Sequence, residues 1–490
     1  MQKNVLAFDF GASSGRGIIG AFDGKTITIK EIHRFLNEPV IINGGMYWDI
    51  LRLFEEMKRG IKKAVEEYDI ESIAIDTWGV DFGFLDKCGE LMGNPYHYRH
   101  KHTENAVDNL LKKIDSKKLF ELSGLANQKF NTLCQLNEMK NNNYFALDTA
   151  KDMLFIPDLL IYFLTGKKVT EYTIASTSQM IVPAKNKWNK EILSTFGIND
   201  KYLKNIISPS ATVGNLSEEL KKELGITKDI KIIACAEHDT ASAVMAVPAL
   251  NDDFAYISSG TWSLLGVELK NPIISDKARD FGYTNEGGFN NTVRFLKNIM
   301  GLWIIQECKR TWENEGDDIS FSQIVELAEK CEPFKCFINP NSKEFYTPLD
   351  MPNKIIQYCK NTNQRVPENK GEIARCIYES LAFIYKKSVD DLKDILGKDI
   401  KALNIVGGGS NNVMLNQFTA NALNIPVIAG PSEATAIGNI VCQYIGLNII
   451  DDIWQARSII KDSFKCKTFI PDNNNEWMKN YNKFIKITGV

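Results

Sequence analysis

The sequence lacks a large charge excess, a close cysteine pair and a long apolar run, and each absence excludes a class of protein. Its 490 residues carry 58 basic and 61 acidic side chains, which gives a net charge of −3 with the five histidines neutral. Nucleic-acid binding needs a basic excess that neutralises phosphates, so this balance disfavours a nucleic-acid partner. The ten cysteines include no CxxC pair. That spacing is typical of reduced, mostly buried thiols and predicts neither a disulfide framework nor a structural zinc site.

The apolar runs are short and interrupted. Asp9 breaks the first of them, which disfavours a secretory signal. The most apolar later segment, residues 153–164, contains Pro157 and Asp158 and is shorter than the about 20 residues that cross a bilayer. With 44% hydrophobic residues, the composition is typical of a folded enzyme, and we expect a cytoplasmic protein without membrane contacts.

The residue pattern predicts an α/β chain. Residues 5–10, 17–22 and 26–35 have strand composition, with Asp23-Gly24 as a two-residue hairpin turn between the second and third. Helical spacing of apolar residues follows over 50–68, and residues 72–77 form a further strand. This order predicts an antiparallel meander that leads into a parallel strand.

A similar pattern recurs near the middle of the chain. Strands are predicted at 254–258 and 262–269, a helix at 372–396 and a strand at 403–406. The recurrence indicates an internal duplication with its boundary within 246–252. We therefore expect an N-terminal domain over 1–247, a C-terminal domain over 248–455, and a tail over 456–490 that packs back on the first domain.

Turns of small residues follow several of these strands. In VLAFDFGASSGR the first strand delivers Asp9 to a turn at residues 11–14, where backbone N–H groups and hydroxyls can approach phosphate oxygens while the carboxylate holds Mg²⁺ through water. The turn at 258–261 could act in the same way, and the glycines at 407–409 permit a flat approach to an adenosine moiety. An ordinary hairpin is the alternative for either of the first two turns. A GxGxxG match at 15–20 is discounted, because a strand rather than a helix follows it.

Two further strands end in carboxylates. Asp239 lies between an apolar strand and a helix of small residues, which suits a general base, and a helix N-cap is the alternative. The stretch IDTWGVD, residues 75–81, combines carboxylates with Trp78, as sites for hydroxyl-rich substrates often do. Its alternative is one buried aspartate with a packed tryptophan.

These stretches resemble the FGGY family of carbohydrate kinases, within the superfamily of sugar kinases, actin and heat-shock ATPases. The matching motifs run almost end to end: DFGASSGR, EIHRF, IDTWGVDF, FNTL, HDTASAV, SSGTWSL, TNEGG, KNIMGLW and IVGGGSNN. TWGVDF, HDTASAV and KNIMGLW resemble the branch of the family that phosphorylates L-rhamnulose. The resemblance implies two ribonuclease H-like, actin-like ATPase domains around a central cleft. It also implies transfer of the ATP γ-phosphoryl group to the 1-hydroxyl of L-rhamnulose.

The resemblance further implies roles for individual residues. Asp239 is the expected general base, and Asp9 is the expected Mg²⁺-site carboxylate. The expected sugar-binding residues are Gly79, His238, Thr240 and Asn298, with Asp76 and Trp78 beside them. The expected ATP-binding residues are Ala12, Ser13, Ser14, Gly15, Arg16, Thr261, Gln306 and Gly408. ATP and Mg²⁺ are therefore the expected cofactors, with sugar and phosphate binding in the first domain and nucleotide binding in the second.

One motif departs from the family pattern. Relatives usually carry YRDxRT where this chain has YRHKHT at residues 98–103, so histidines replace an acid and an arginine. The change predicts a shifted ketose preference or pH dependence. With His97, these histidines could also bind a metal, but no cysteine or carboxylate has matching spacing, and a polar loop after Pro95 is favoured.

Two alternatives remain at this stage. One is another FGGY kinase, acting on fuculose, xylulose or glycerol. The other is a non-catalytic, actin-like ATP switch, which would need neither a sugar-facing TWG segment nor a base such as Asp239. We expect a monomer or a small homo-oligomer.

Overall fold

A computed structural model describes residues 2–251, 253–472 and 474–490. The chain divides into two compact units. Unit 1 holds the described residues of 1–252, 268–295 and 434–464, and unit 2 holds those of 253–267, 296–433 and 465–490. The domain boundaries at 247 and 455 stay a prediction, and Asp252, at the end of the predicted junction, lies outside the described residues.

The strands alternate with helices along most of the chain. The strands are β1 (Lys3–Phe10), β2 (Ser14–Phe22), β3 (Ile27–Leu36), β4 (Val40–Ile42), β5 (Gly45–Tyr47), β6 (Ile70–Thr77), β7 (Phe82–Leu85), β8 (Asp152–Phe155), β9 (Thr170–Glu171), β10 (Ile206–Ile207), β11 (Thr212–Asn215), β12 (Lys231–Ile233), β13 (Ala255–Ser259), β14 (Trp262–Leu269), β15 (Thr284–Gly287), β16 (Val293–Met300), β17 (Leu403–Val406), β18 (Val427–Ala429) and β19 (Lys467–Phe469).

The helices vary from one turn to 27 residues in length. They are α1 (Ile50–Glu67), α2 (Ala106–Leu111), α3 (Ser116–Ser123), α4 (Thr132–Asn141), α5 (Ala146–Thr149), α6 (Ile156–Thr165), α7 (Tyr172–Ser176), α8 (Lys190–Phe196), α9 (Glu218–Leu224), α10 (Asp239–Met245), α11 (Asp276–Asp280), α12 (Trp303–Asn314), α13 (Phe321–Glu329), α14 (Met351–Asn361), α15 (Lys370–Leu396), α16 (Val413–Leu423), α17 (Ala434–Gly446), α18 (Ile453–Ser463) and α19 (Asn474–Thr488). Among the described residues, no helix combines the length and the apolar character needed to cross a membrane.

The main sheet of unit 1 has the strand order β11-β12-β6-β1-β2-β3. β1 pairs antiparallel with β2, and β2 pairs antiparallel with β3. β6 pairs parallel with both β1 and β12. The predicted meander and its parallel neighbour are therefore confirmed. The GxGxxG match lies within β2, as its rejection as a nucleotide motif requires.

The second sheet repeats this topology. Its strands include the order β19-β18-β17-β13-β14-β16, in which β13, β17 and β18 are parallel, β14 pairs antiparallel with β13, and β19 pairs antiparallel with β18. β13 thus corresponds to β1, β17 to β6, and β18 to β12. The shared order supports the internal duplication that the sequence pattern predicts.

The turn between β2 and β3 differs from the prediction. Four residues, 23–26, separate the strands, and Phe22 pairs with Ile27. The Asp23 carboxylate accepts hydrogen bonds from the N–H groups of Lys25 and Thr26 at 2.8 and 2.7 Å. The predicted two-residue turn at Asp23-Gly24 is wrong because these side-chain bonds stabilise a wider loop.

Helix α1 shows how the sequence pattern positions the unit 1 core. The Asp49 side chain caps the helix by accepting a hydrogen bond from the Arg52 N–H. Leu53, Met57 and Ile61 recur at helical spacing, are buried, and join the core cluster beneath the sheet. The predicted helix at 50–68 is confirmed, with observed bounds of 50–67, and it covers one face of the sheet.

Candidate active site

Three carboxylates lie at the carboxyl ends of neighbouring parallel strands in unit 1. Asp9 on β1 is directly opposite Asp76 on β6. The residues after β12 continue beside β6, where Thr77 donates a backbone hydrogen bond to the Glu237 carbonyl at 2.8 Å and forms a bridge with His238. Asp239 follows at once. Sites in α/β proteins form at this edge of the sheet, because successive strands end there together.

Asp76 is the most deeply buried of the three carboxylates. Its Oδ2 accepts a hydrogen bond from Asn439 Nδ2 at 2.7 Å, and its Oδ1 has no hydrogen-bond partner among the described residues. Burial raises the pKa of Asp76 well above its ordinary value, and the nearby charges of Asp9 and Asp239 raise it further. The positive charge of Arg16 lowers the pKa of Asp76, and Arg16 Nη2 lies 2.5 Å from Asp9 Oδ2. Carboxylate oxygens are hard ligands, and Asp76 Oδ1 accepts no hydrogen bond from the described residues. This group of carboxylates therefore suits a divalent cation.

The turn after β1 is held by a residue that sequence reasoning missed. Asn37 donates from its backbone to the Ser13 carbonyl at 3.0 Å and from its side chain to the Gly11 carbonyl at 2.8 Å. Within the turn, the Gly11 N–H donates to the Ser14 carbonyl. These hydrogen bonds occupy the carbonyl groups of Gly11, Ser13 and Ser14. Ala12 and Ser13 themselves are exposed. Nothing in the sequence links Asn37 to this turn, because β2 and β3 separate them.

Gly15 and Arg16 open β2, directly across from the end of β1. A Cβ at Gly15 would lie 2.2 Å from the Phe35 ring and 3.0 Å from the Phe10 ring, so packing requires glycine there. Arg16 pairs with Asp9 in register and through its guanidinium. The phosphate-turn residues predicted from the sequence are thus gathered at one strand end.

Asp239 is the first residue of α10, and His238 occupies the N-cap position. Asp239 Oδ1 accepts hydrogen bonds from the Thr240 backbone N–H at 2.5 Å and the Thr240 hydroxyl at 3.1 Å. His238 Nε2 lies 3.3 Å from the same oxygen, and the Asp239 side chain is 34% exposed. All three contacts converge on Oδ1, so a substrate hydroxyl can approach Oδ2.

His238 is held by two buried residues whose roles sequence reasoning missed. Its Nδ1 lies 3.1 Å from Arg294 Nη2 and 3.3 Å from Glu286 Oε2, and Arg294 Nε donates to the Gly287 carbonyl at 2.7 Å. The Asp239 carboxylate can only accept, so a ring proton is assigned to Nε2, while Nδ1 lies between the donor Arg294 and the acceptor Glu286. Burial alone would raise the pKa of Glu286, but Arg294 and His238 hold it below its ordinary value. Glu286 and Gly287 belong to the TNEGG motif, which could have indicated this contact.

Buried acids support the loop that carries His238. Glu171 accepts hydrogen bonds from the Glu237 backbone N–H at 3.3 Å and from the Thr173 hydroxyl at 2.6 Å. The Thr173 hydroxyl in turn accepts one from the His238 backbone N–H at 3.2 Å. Burial raises the pKa of Glu171 to about 7, and it also raises the pKa values of Glu237 and Asp158. These side chains fix the backbone just before Asp239.

The TWGVD segment is organised around Asp81. The carboxylate accepts N–H donors from Trp48 at 2.6 Å, Trp78 at 3.0 Å, the Tyr98 backbone at 3.0 Å and Gln135 at 2.9 Å. Burial raises the pKa of Asp81 to about 7, although these donors lower it. Trp78 is 6% exposed and stacks on Trp48 with ring centroids 3.9 Å apart. This geometry favours the alternative of a buried aspartate with a packed tryptophan.

Backbone strain adjoins this segment. Val80 has a φ of 69°, which is unusual for a β-branched residue. Thr177 Oγ1 accepts from the Val80 N–H at 3.0 Å, and the Thr132 hydroxyl donates to the Val80 carbonyl at 2.7 Å. A Cβ at Gly79 would lie 3.0 Å from Thr177 Cγ2. Such strain persists where surrounding contacts determine the backbone, and it is common at functional sites.

The expected nucleotide residues Thr261 and Gln306 meet within unit 2. The Thr261 hydroxyl donates a hydrogen bond to Gln306 Oε1 at 3.3 Å. The Thr261 carbonyl accepts N–H groups from Gly301 and Trp303 at 3.2 Å each. The turn after β13 is therefore fixed against the start of α12. Asn298, expected to contact the sugar, lies on β16 and is half-buried.

The glycine cluster packs against the same turn. β13 and β17 are parallel neighbours, so the turns that follow them lie side by side. A Cβ at Gly407 would be 2.9 Å from the Ser259 carbonyl oxygen, and one at Gly409 would be 2.0 Å from Ser259 Oγ. Gly408 between them has no atom within 4 Å of such a Cβ. Two glycines thus permit close packing, and the third leaves an open face.

The histidine segment is not the polar loop that the sequence predicts. His97 is 4% exposed and stacks on Trp48 at 4.1 Å, while His100 is 7% exposed. His100 Nδ1 and His102 Nδ1 lie 2.8 Å apart, and the Tyr96 ring contacts both imidazoles. Burial lowers the pKa of His97 to about 3 and that of His102 to about 4. The prediction is wrong because aromatic packing buries these neutral rings.

Comparison with known proteins identifies the family. Residues 4–246 match the N-terminal domain, and residues 255–447 the C-terminal domain, of the FGGY family of carbohydrate kinases. The chain belongs to this family. It is an ATP-dependent sugar kinase, as the sequence resemblance predicts.

Several curated relatives of this FGGY kinase span nearly its full length. A rhamnulokinase from Bacteroides thetaiotaomicron is 42% identical over 485 residues, with 99% of each chain covered. One from Oceanobacillus iheyensis is 43% identical, covering 96% of this chain and 98% of the relative. One from Bacillus subtilis is 41% identical, covering 95% of both.

Solved structures of FGGY kinases share the fold. A gluconate kinase from Lactobacillus acidophilus superposes with a TM-score of 0.82 at 18% identity, covering 99% of this chain and 98% of the other. Plasmodium falciparum glycerol kinase with ADP has a TM-score of 0.79 at 18% identity, covering 100% and 99%. The predicted α/β class and two-domain, actin-like ATPase architecture are confirmed.

Proposed function

We propose that this FGGY kinase transfers the ATP γ-phosphoryl group to the 1-hydroxyl of L-rhamnulose and forms L-rhamnulose 1-phosphate in rhamnose catabolism. The single observation that carries the proposal is the geometry of Asp239, whose Oδ1 receives three contacts while its side chain stays 34% exposed beside Asp9 and Asp76. The names of the full-length relatives support the choice of ketose.

In the proposed reaction, Asp239 acts as the general base. Its Oδ2 accepts the proton of the attacking hydroxyl. In phosphoryl transfer through a loose transition state, the hydroxyl loses this proton late. His238 Nε2–H and Thr240 hold Oδ1 and fix the carboxylate plane. Positioning of this kind supplies much of the rate enhancement in phosphoryl transfer, because there is little covalent chemistry for the protein to perform.

The residues at the strand ends fit MgATP. The unpartnered Oδ1 of Asp76 and the neighbouring Asp9 would hold Mg²⁺ through water. Bound Mg²⁺ would neutralise charge on the transferring phosphoryl group. We propose that residues 12–16 contact the phosphates and that Thr261, Gln306 and Gly408 contact the nucleotide, with Arg16 held in place by Asp9.

The proposed sugar contacts are Gly79, His238, Thr240 and Asn298. Asp76 lies opposite Asp9, which supports a role for Asp76 at the cation rather than at the sugar. The packing of Trp78 supports a role for this side chain in fixing the TWG backbone. We retain the proposed division into 1–247 for sugar and phosphate, 248–455 for nucleotide, and a tail over 456–490. We also propose a cytoplasmic enzyme that is a monomer or a small homo-oligomer.

A coupled ADP-release assay with a panel of acceptors tests the substrate. We expect L-rhamnulose to give the highest kcat/KM among L-rhamnulose, L-fuculose, L-xylulose and glycerol. A higher kcat/KM for one of the others would replace the proposed ketose. ADP release that no sugar stimulates, together with ATP-dependent filaments in a sedimentation run, would favour the actin-like switch.

Replacing the proposed base tests the mechanism. Asp239→Asn should fold and bind ATP but lose about 100- to 10,000-fold in kcat, the usual contribution of a general base. Asp200→Asn, an exposed change in the same unit, serves as the matched control and should retain full turnover. Turnover of Asp239→Asn within a few-fold of the unmodified enzyme would exclude Asp239 as the base.

A further inference from the structure

Three cysteines that are distant in sequence converge within unit 2. Cys336 follows α13, Cys359 lies near the end of α14, and Cys376 lies in the first half of α15. Their Sγ atoms all lie within 4.8 Å of one another, and all three residues are buried. The sequence gives no sign of this group, since the spacings are 23 and 17 residues and no close cysteine pair marks it.

Two polar side chains tie the three segments together. Gln364 donates its backbone N–H to the Cys359 carbonyl at 2.9 Å, and its side chain bonds both backbone groups of the residue after Cys336 at 2.8 Å each. Ser380 Oγ donates to the Cys376 carbonyl at 2.6 Å and accepts a bond at 3.0 Å from the backbone N–H two residues after Cys336. The sulfur positions are therefore fixed by bonds that do not involve sulfur, as a preorganised ligand set requires.

The three sulfur atoms lie close enough together to form one soft donor set. Thiolates are the form of cysteine that binds metals.

We propose that Cys336, Cys359 and Cys376 form a trigonal site for a soft monovalent metal ion, with Cu(I) as the occupant. Three sulfurs at about 2.3 Å from a central ion lie about 4 Å apart, within the observed limit of 4.8 Å. Soft thiolates select Cu(I) and zinc, but a structural zinc site takes four tetrahedral ligands. Among the described residues, this group supplies three cysteine ligands with no histidine or carboxylate as a fourth.

Binding at this site is a substitution without oxidation or reduction. Cu(I) forms three Cu–S bonds, each cysteine that binds as a thiolate loses its S–H proton to solvent, and copper remains Cu(I). Affinity should therefore rise with pH, as for other sites that displace protons. The site is separate in function from the kinase reaction, because none of the three cysteines is among the proposed site residues.

Anaerobic Cu(I) titration against a chromogenic Cu(I) chelator tests the proposal. The full chain is used with Ser at Cys88, Cys331 and Cys466, which removes the thiols that are not buried. We expect one Cu(I) per chain and a thiolate-to-copper absorption band in the ultraviolet. Cys359→Ser and Cys376→Ser should each weaken binding more than about 100-fold, since even changes outside the ligand shell cost about 10- to 100-fold. Cys308→Ser, a buried cysteine elsewhere in unit 2, should leave binding unchanged.

X-ray absorption on the Cu(I)-loaded protein tests the geometry without ligand variants, so a failure of those variants to fold does not leave the proposal untested. Three sulfur neighbours at a single distance would support the site. Equal Cu(I) retention by Cys359→Ser, two or four sulfur neighbours, or tetrahedral uptake of Zn²⁺ in preference to Cu(I) would overturn it. Recovery of two of the three cysteines as a disulfide from protein prepared under reducing conditions would overturn it as well.

Discussion

At the scale of single residues, Asp81 and Asp239 show how surroundings separate two aspartates that follow similar strand-end motifs. Asp81 is 1% exposed and accepts four N–H donors. Asp239 directs its contacts to one oxygen and keeps a side chain that is 34% exposed. A carboxylate saturated by fixed donors stabilises a fold, whereas one with a free oxygen can accept a substrate proton. Of these two aspartates, Asp239 therefore has the geometry that the proposed base requires.

His97 should make stability depend on pH. Burial, with help from Arg99 and His100, lowers its pKa to about 3 in the folded protein, against an ordinary value near 6.5. A histidine with a lowered pKa contributes stability above pH 6.5 and loses it as the pH falls towards 3. At pH 5 this loss amounts to about 2 kcal/mol of unfolding free energy.

Denaturant unfolding of the unmodified protein and His97→Gln at pH 7 and pH 5 measures this contribution. We expect the unmodified protein to lose about 2 kcal/mol more than the variant between the two pH values. Each protein is compared with itself at pH 7, so the stability that His97→Gln loses with the ring stacking cancels. Equal losses in the two proteins would show that His97 titrates normally.

At the scale of elements, the site is assembled where strands end and helices begin. β1, β6 and β12 are neighbours, so their terminal residues share one edge. The β15–β16 segment then supplies Glu286 and Arg294, which reach His238 at the start of α10. His238, which contacts the proposed base, is therefore held by residues about 50 positions later in the sequence.

Arg294→Lys tests this positioning role. Lysine keeps the charge beside Glu286 but cannot bond the Gly287 carbonyl and His238 together in the planar arrangement of a guanidinium. We expect kcat to fall about tenfold, with the KM for ATP unchanged.

The matched control for that change is Arg279→Lys, whose side chain forms exposed ion pairs with Asp276 and Asp280 in the same unit. It should leave both kcat and the KM for ATP unaltered. An unchanged kcat in Arg294→Lys would show that the arginine only packs the core.

At the scale of the whole molecule, a late segment completes the first unit. α17 begins at residue 434, yet Gln443 donates to the Leu6 carbonyl at 3.1 Å, and Asn439 bonds Asp76. Tyr444 Oη lies 2.9 Å from the carbonyl oxygens of Lys3 and Gly20. Unit 1 therefore requires chain that follows most of unit 2.

Gly438→Ala tests the packing of α17 against α10. The added Cβ would lie 1.7 Å from the Ser242 carbonyl oxygen, a backbone atom that cannot rotate away. We expect a loss of about 3 kcal/mol in unfolding free energy, since overpacking of a tight contact forces backbone shifts. Because Asp239 begins α10, kcat should fall as well.

Gly214→Ala is the control for this variant. Its nearest atom would be 3.7 Å away, on the side chain of Lys167, and the free energy of unfolding should change by less than about 1 kcal/mol. Equal effects of the two changes in a denaturant titration would contradict the tight contact between α10 and α17.

Several features of this FGGY kinase followed from the sequence by itself. The strand and helix patterns predicted β1, β2, α1 and the repeated α/β topology, because hydrophobic periodicity is local and each unit builds its core from it. The motifs around Asp9 and Asp239, with others along the chain, carried the resemblance that predicted the family. The net charge of −3 disfavoured a nucleic-acid partner and indicated little else.

The tertiary structure decided what depends on distant contacts. Asn37 reaches the turn after β1, Arg294 reaches His238, and Asn439 reaches Asp76 across sequence gaps that no motif spans. The tertiary structure packs the histidine segment, which the sequence predicts as a polar loop, against aromatic rings. It also places three cysteines that are widely spaced in sequence within 4.8 Å of one another. Sequence patterns report local periodicity, whereas hydrogen-bond partners and burial are set only when strands and helices pack.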